Sequence, residues 1–155
     1  MSAFLVGMML VMSLELVGAS TRGKVSNGEQ ARARQLAQDL LDEISALPYK
    51  DPDNPGFGPE SGEAGSNRSN RSKFDDIDDY LGYSELSPTH KDGTPFSEMS
   101  DWGRFVVVRR VQPNNLWHYS HSESGVRQVI VYVRKGQGRM VYVAVGIFSK
   151  HWERE

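Results

Sequence analysis

The last third of the chain contains three segments rich in valine, isoleucine and aromatic residues, at 102–111, 126–134 and 139–148. Residues of these types favour β-strands. The second and third segments flank Lys-Gly-Gln-Gly at 135–138, which is typical of a tight turn between antiparallel strands. The sequence therefore predicts an antiparallel sheet of about three to four strands in the C-terminal part of the chain.

Aliphatic side chains alternate with other residues along the two hairpin strands, which predicts a sheet covered on one face. The covering element is predicted from an apolar stripe at helical spacing between Ala33 and Ile44, in a helix that Pro48 ends. The residues predicted to form the helix–sheet contact are Leu36, Leu40, Leu41, Ile44, Val129, Val131, Val133, Val141, Val143 and Val145.

The N-terminal residues 3–14 are almost wholly apolar, and residues 1–20 would extend about 30 Å as a helix, roughly one hydrocarbon thickness. Three interpretations stay open: a secretory signal without its basic n-region, a buried core helix, and a membrane span with Glu15 near its end, which is favoured. The apolar side chains predicted to serve membrane insertion or assembly are Phe4, Leu5, Val6, Met9, Leu10, Val11 and Leu14.

No proline lies between this run and Pro48, so one helix over about 3–47 is the economical prediction. The predicted fold is α+β, pilin-like, with a long N-terminal helix packed on the antiparallel sheet. Four regions are predicted: a hydrophobic membrane or assembly segment (1–20), an amphipathic continuation of the helix (21–48), a polar variable loop region (49–101) and the sheet domain (102–155).

Charge is distributed unevenly along the chain. Residues 51–101 carry twelve acidic and four basic groups, whereas residues 102–155 carry three acidic and nine basic groups. Such surfaces either balance within one fold or match between copies in an assembly. We expect the arginines of the sheet to contact the acidic region or another subunit, and no nucleic acid.

The segment Phe-Asp-Asp-Ile-Asp-Asp-Tyr is the best candidate for a binding site. Its carboxylates, Asp75, Asp76, Asp78 and Asp79, are hard oxygen ligands of the kind that calcium prefers. Their spacing is not that of a calcium loop, so a solvated acidic turn above Phe74, Ile77 and Tyr80 is the favoured interpretation. No cofactor other than calcium is suggested.

Known catalytic patterns are missing from the sequence. The chain has no cysteine, and its serines and histidines stand in no recognisable nucleophile motif. His118 and His121 are spaced like some zinc ligands, but they lie in a polar segment without a neighbouring acidic ligand. We therefore predict that the protein is not an enzyme and assign no catalytic residue.

The order of these features resembles the type IV pilin and type II secretion pseudopilin family. The stretch ARARQLAQDLLDEISALPYKDP (31–52) resembles the region after the membrane segment in the minor-pilin branch. The stretch FDDIDDYLGY (74–83) resembles an element of proteins with a prepilin-type N-terminal cleavage and methylation domain. The family's basic leader, cleavage glycine and Phe-Thr-Leu-Ile-Glu motif are missing, so we expect Met1 to fall inside the mature helix, either of an N-terminally shortened form or of a sequence with a misplaced start.

The resemblance implies a non-enzymatic structural subunit, a minor pilin or pseudopilin of a type IV pilus or type II secretion system. It implies a single-pass inner-membrane protein whose C-terminal domain is periplasmic or lies on a surface fibre. The implied partners are other pilin or pseudopilin subunits, the inner membrane before assembly and, for a full-length precursor, prepilin peptidase. The alternative is a secreted or membrane-tethered extracytoplasmic binding module, either with or without a dependence on calcium.

Overall fold

The computed structural model describes residues 27–51, 56–60 and 71–152. Its helix α1 covers residues 27–45, and its five strands are β1 (Ser84–Glu85), β2 (Trp102–Gln112), β3 (Asn115–Tyr119), β4 (Val126–Lys135) and β5 (Arg139–Ser149). Short 3₁₀ helices lie at Asp78–Tyr80 and Lys150–Trp152. The predicted membrane or assembly segment, residues 1–20, lies outside the described residues.

Helix α1 ends where the sequence predicts. The last turn tightens, with the Leu47 amide donating to the Ile44 carbonyl at 3.1 Å, and Pro48 then removes the next backbone donor. The Pro48 carbonyl accepts a hydrogen bond from the Ile77 amide at 3.2 Å. The end of the helix is thus fixed to the segment that leads into the first 3₁₀ helix.

All strand pairs of the sheet are antiparallel, and the strands lie in the order β1-β2-β4-β5, with β3 paired to the far end of β2. The residues from Ala33 onward form one compact unit that contains the sheet and most of α1. The core between them consists of buried apolar side chains: Ala33, Leu36, Ala37, Leu40, Ile44, Phe74, Ile77, Tyr80, Tyr83, Trp102, Val106, Val108, Val129, Val131 and Val133.

The predicted fold class is wrong. The described residues contain one helix of ordinary length and five strands, three of which have 10 or 11 residues, so the class is mainly β. A helix running from residue 3 is not seen among the described residues. The sheet also has more strands than predicted, because β1 and β3 are short and carry weak sequence patterns.

The β5 side chains that point toward the core are not the ones predicted. Val133 pairs with Tyr142 and Arg134 with Met140, so Val141 is an extra residue, a β-bulge. Every later side chain of β5 is therefore turned to the opposite face. Tyr142, Ala144 and Phe148 pack against the core, while Val143 and Val145 are exposed on the other side.

The predicted single pass through the inner membrane is also corrected. Within 27–51, 56–60 and 71–152, no helix has both the length and the apolar character that crossing a bilayer requires.

Candidate functional site

The predicted acidic site is an internal structural turn. Asp75 is exposed, but Asp76, Asp78 and Asp79 are buried. The Asp76 carboxylate accepts hydrogen bonds from the backbone amides of Asp51, Asp78 and Asp79 at 2.6, 2.5 and 3.2 Å. The prediction of a solvated turn is therefore wrong for these three aspartates, because their side chains are buried and their carboxylates bond to backbone amides or to Arg127.

The carboxylate of Asp79 accepts hydrogen bonds from the amides of Asp75 and Asp76 at 2.8 and 3.1 Å. Burial, together with the neighbouring charges of Asp79 and Asp78, raises the pKa of Asp76 to about 6, although backbone donors oppose the shift. In the described part of the chain, no three histidine, aspartate or glutamate side chains are grouped to hold a metal ion. The buried carboxylates of the turn bond to backbone amides and to Arg127 instead.

Arg127 of β4 joins this turn to the sheet. Its guanidinium forms a bidentate pair with Asp78, at 2.7 Å (Nε–Oδ1) and 3.0 Å (Nη2–Oδ2), with both side chains almost fully buried. Arg127 also donates to Glu123 at 2.8 and 3.0 Å and to the Tyr49 hydroxyl at 2.7 Å. The hydrogen bond from Arg127 is the main cause that lowers the pKa of Glu123 to about 2.

A second buried cluster connects α1 with β2 and with residues of the segment between them. Arg71 is fully buried and forms a bidentate pair with Glu43 of α1 at 2.8 and 2.9 Å. It also donates to the Tyr83 hydroxyl at 2.6 Å and to Thr89. Tyr80 donates to the same Glu43 carboxylate at 2.5 Å, and burial is the main cause that raises the pKa of Tyr80.

Glu85 of β1 and Arg104 of β2 complete this cluster. Arg104 Nε donates to the Glu85 carboxylate, which also accepts from the Tyr83 hydroxyl at 2.8 Å and from the Thr89 amide at 3.0 Å. Arg104 Nη1 also donates a hydrogen bond to the Leu36 carbonyl in α1 at 3.3 Å. Paired in this way, two arginines and two glutamates can be buried together, and their hydrogen-bonding groups are directed at each other.

These clusters explain part of the charge asymmetry. Arg104 and Arg127 belong to the basic last third, whereas Glu85 and Asp78 belong to the acidic middle region. The expected contact of sheet arginines with the acidic region is confirmed for Arg104 and Arg127. The burial of these pairs was not predicted, although one signal was available. The alternation of Trp102, Arg104, Val106 and Val108 places Arg104 on the core side of β2.

Among the described residues, the sheet face turned away from α1, here called the outer face, is not covered by another element. Cross-strand pairing brings its side chains together in rows across β2, β4 and β5. Its central apolar residues are Phe105, Val107, Ile130, Tyr132, Val143, Val145 and Ile147. Ile130 is buried, and Val107, Tyr132 and Ile147 are half-buried. The side chains of Phe105, Val143 and Val145 are 37%, 42% and 54% exposed.

The exposed large apolar side chains of the described residues all border this face: Leu86, Phe105, Trp117, Tyr119, Met140, Val143 and Val145. Met140 shares a row with Arg134 and Gly103. Leu86 lines a shallow cavity of about 400 Å³ together with Gly103 and Arg134. An apolar surface of this extent is typical of an interaction site.

The β2–β3 hairpin extends the outer face at one end. The Arg109 guanidinium lies 4.8 Å from the centre of the Tyr119 ring and donates to the Tyr119 hydroxyl. Trp117 lies two residues earlier in β3, hence on the same side of the strand, and is 88% exposed. Tryptophan, tyrosine and arginine are enriched among the few residues that contribute most of the binding energy at protein interfaces.

The predicted helix–sheet residues are divided between the two faces. Leu36, Leu40, Ile44, Val129, Val131 and Val133 lie in the core, with Leu41 and Val141 partly buried against it. Val143 and Val145 lie on the outer face. The predicted assembly residues Phe4, Leu5, Val6, Met9, Leu10, Val11 and Leu14 lie outside the described residues.

In comparisons with known proteins, no family model, no curated protein and no solved structure matches the chain. No family match therefore supports describing the chain as a pilin, a prepilin or a secretion-system subunit, and the described residues contain no helix suited to cross a membrane. The resemblance itself stays a prediction.

Proposed function

We propose that the chain is a non-enzymatic structural subunit that assembles with other subunits into a fibre, the role that its resemblance to minor pilins and pseudopilins implies. The observation that carries this proposal is the outer face, an apolar surface on a sheet whose other face is already covered by its own helix. A protein surface of this kind is stabilised by contact with another protein.

The internal charge clusters support the structural part of the proposal. Arg71, Arg104 and Arg127 have their hydrogen-bonding groups directed at buried carboxylates of the same chain. The acidic turn likewise uses its aspartates to hold backbone amides. These charged residues connect distant parts of the fold, which is a role in architecture.

The proposal is tested with the full chain. We expect sedimentation velocity to show growth of assemblies with concentration, and Val145→Lys on the outer face to suppress it. The matched control is Gln38→Lys at an exposed position of α1, which should leave assembly unchanged. A chain that stays monomeric at every concentration would contradict the proposal.

A further inference from the structure

The outer face has a definite charge pattern. At the outward positions of β1, β2, β4 and β5, the charged side chains are Arg109 at one end and Arg134 at the other, and no acidic residue is among them. Arg109 already bonds to Tyr119, whereas Arg134 extends over Gly103. Asp101 lines the same cavity as Arg134, but its carboxylate lies 3.8 Å from the Lys135 ammonium, and among the described residues no carboxylate forms an ion pair with Arg134. An occupant of this face must therefore be apolar and bring negative charge.

The outer faces of two copies do not match each other. In a symmetric face-to-face dimer, the arginines at the ends of one face approach the arginines of the other face, and like charges at an interface are costly. A stable dimer also buries about 800 Å² on each partner. The charge pattern thus disfavours a second copy of the same surface and favours a different, acidic one.

The chain itself contains a segment with the required properties. Residues 3–14 are almost wholly apolar, and Glu15 is the only charged side chain between residues 1 and 20. As a helix, residues 3–14 would extend about 18 Å. The outer face measures about 20 Å along β2 from Gly103 to Arg109, at roughly 3.4 Å per residue.

From this match we propose that residues 3–15 of one copy dock on the outer face of a second copy, with the Glu15 carboxylate directed to Arg134. Because donor segment and acceptor face are different surfaces, the contact is heterologous, and repetition of such a contact produces a filament. This last consequence rests on the proposed function, since it supplies the contact by which the subunits would assemble.

The natural chain has no cysteine, so site-directed cross-linking tests the contact directly. Full chains carrying Met9→Cys are mixed with differently tagged full chains carrying Val145→Cys, and the mixture is oxidised. We expect a disulfide-linked pair that carries both tags. The matched control is Gln38→Cys, exposed on α1, which should not cross-link to Met9→Cys.

Three results would overturn the docking proposal. The first is no mixed pair. The second is a homodimer of Val145→Cys in preference to the mixed pair, which means that two outer faces meet. The third concerns a full chain that carries both Met9→Cys and Val145→Cys: a disulfide formed only within single chains would mean that each copy covers its own face.

Charge reversal gives a readout that separates the two proposals. Glu15→Arg is expected to weaken self-association about tenfold, and adding Arg134→Glu to restore it. If the chain assembles but neither change has an effect, the docking proposal is wrong and the proposed function stands. If the wild-type chain does not assemble, both are wrong.

Discussion

Arg127 and Asp78 form a bidentate ion pair between β4 and the 3₁₀ helix at Asp78–Tyr80, across 49 residues of sequence. The side chains of both residues are at most 1% exposed. The pair therefore connects the acidic turn to the sheet at a position where an unpaired charge has no access to water.

Arg127→Met is expected to destabilise the fold by about 3–5 kcal/mol, because it leaves the buried Asp78 carboxylate without its cation. The free energy of unfolding is measured by urea denaturation. The control is Arg34→Met at an exposed position of α1, with an expected change of at most about 0.5 kcal/mol. Equal effects of the two substitutions would show that the ion pair contributes little.

Gly146→Ala tests the close approach of α1 to β5. A Cβ atom at Gly146 would lie 2.9 Å from Leu41 Cδ1 and 2.8 Å from Phe148 Cε2, so both side chains must move. We expect a loss of about 1–2 kcal/mol in the free energy of unfolding.

The matched control is Gly28→Ala in α1, where no described atom outside its chain neighbours and its own helix backbone lies within 4 Å of the added Cβ. This substitution should be neutral or should stabilise the protein by up to about 1 kcal/mol, because alanine favours helix more than glycine. A loss of stability from Gly28→Ala as large as that from Gly146→Ala would contradict the packing explanation.

Residue periodicity predicts the regular elements well. The strands expected at 102–111, 126–134 and 139–148 are observed as Trp102–Gln112, Val126–Lys135 and Arg139–Ser149. The face of β5 is not predictable in this way, since it depends on the bulge at Val141, and a bulge changes the register without changing the alternation.

The charge clusters show a different limit. The acidic turn is conspicuous in the sequence, but alternation and spacing do not reveal that Asp78 meets Arg127 or that Arg71 meets Glu43, since these pairs join residues 49 and 28 positions apart. A sequence pattern reports local geometry, whereas the burial of a charge depends on its distant partner.

Asp76 makes the stability of the fold depend on pH. Its pKa is raised from 3.8 to about 6, so between these values the folded state binds more protons than the unfolded chain does. The contribution of Asp76 is present below about pH 4 and is lost as pH rises through about 6. Asp76→Asn removes this titration.

We therefore expect wild type to lose about 2–3 kcal/mol relative to Asp76→Asn between pH 4 and pH 7, at about 1.4 kcal/mol per pKa unit. Urea denaturation of both proteins across this pH range measures the difference. A constant difference between the two proteins would mean that Asp76 has a similar pKa in the folded and unfolded states.

Substitution of two tryptophans distinguishes the contribution of the core to stability from the contribution of the outer face to self-association. Trp102 is 1% exposed, within the core, whereas Trp117 is 88% exposed on the β2–β3 hairpin. Trp102→Ala should cost about 3–5 kcal/mol in unfolding free energy through the cavity it leaves. Trp117→Ala should change the unfolding free energy by at most about 0.5 kcal/mol but should weaken self-association, as expected for an aromatic residue at an interface. Urea denaturation and sedimentation velocity on the full chain measure the two effects, and unchanged assembly of Trp117→Ala would remove the hairpin from the proposed contact surface.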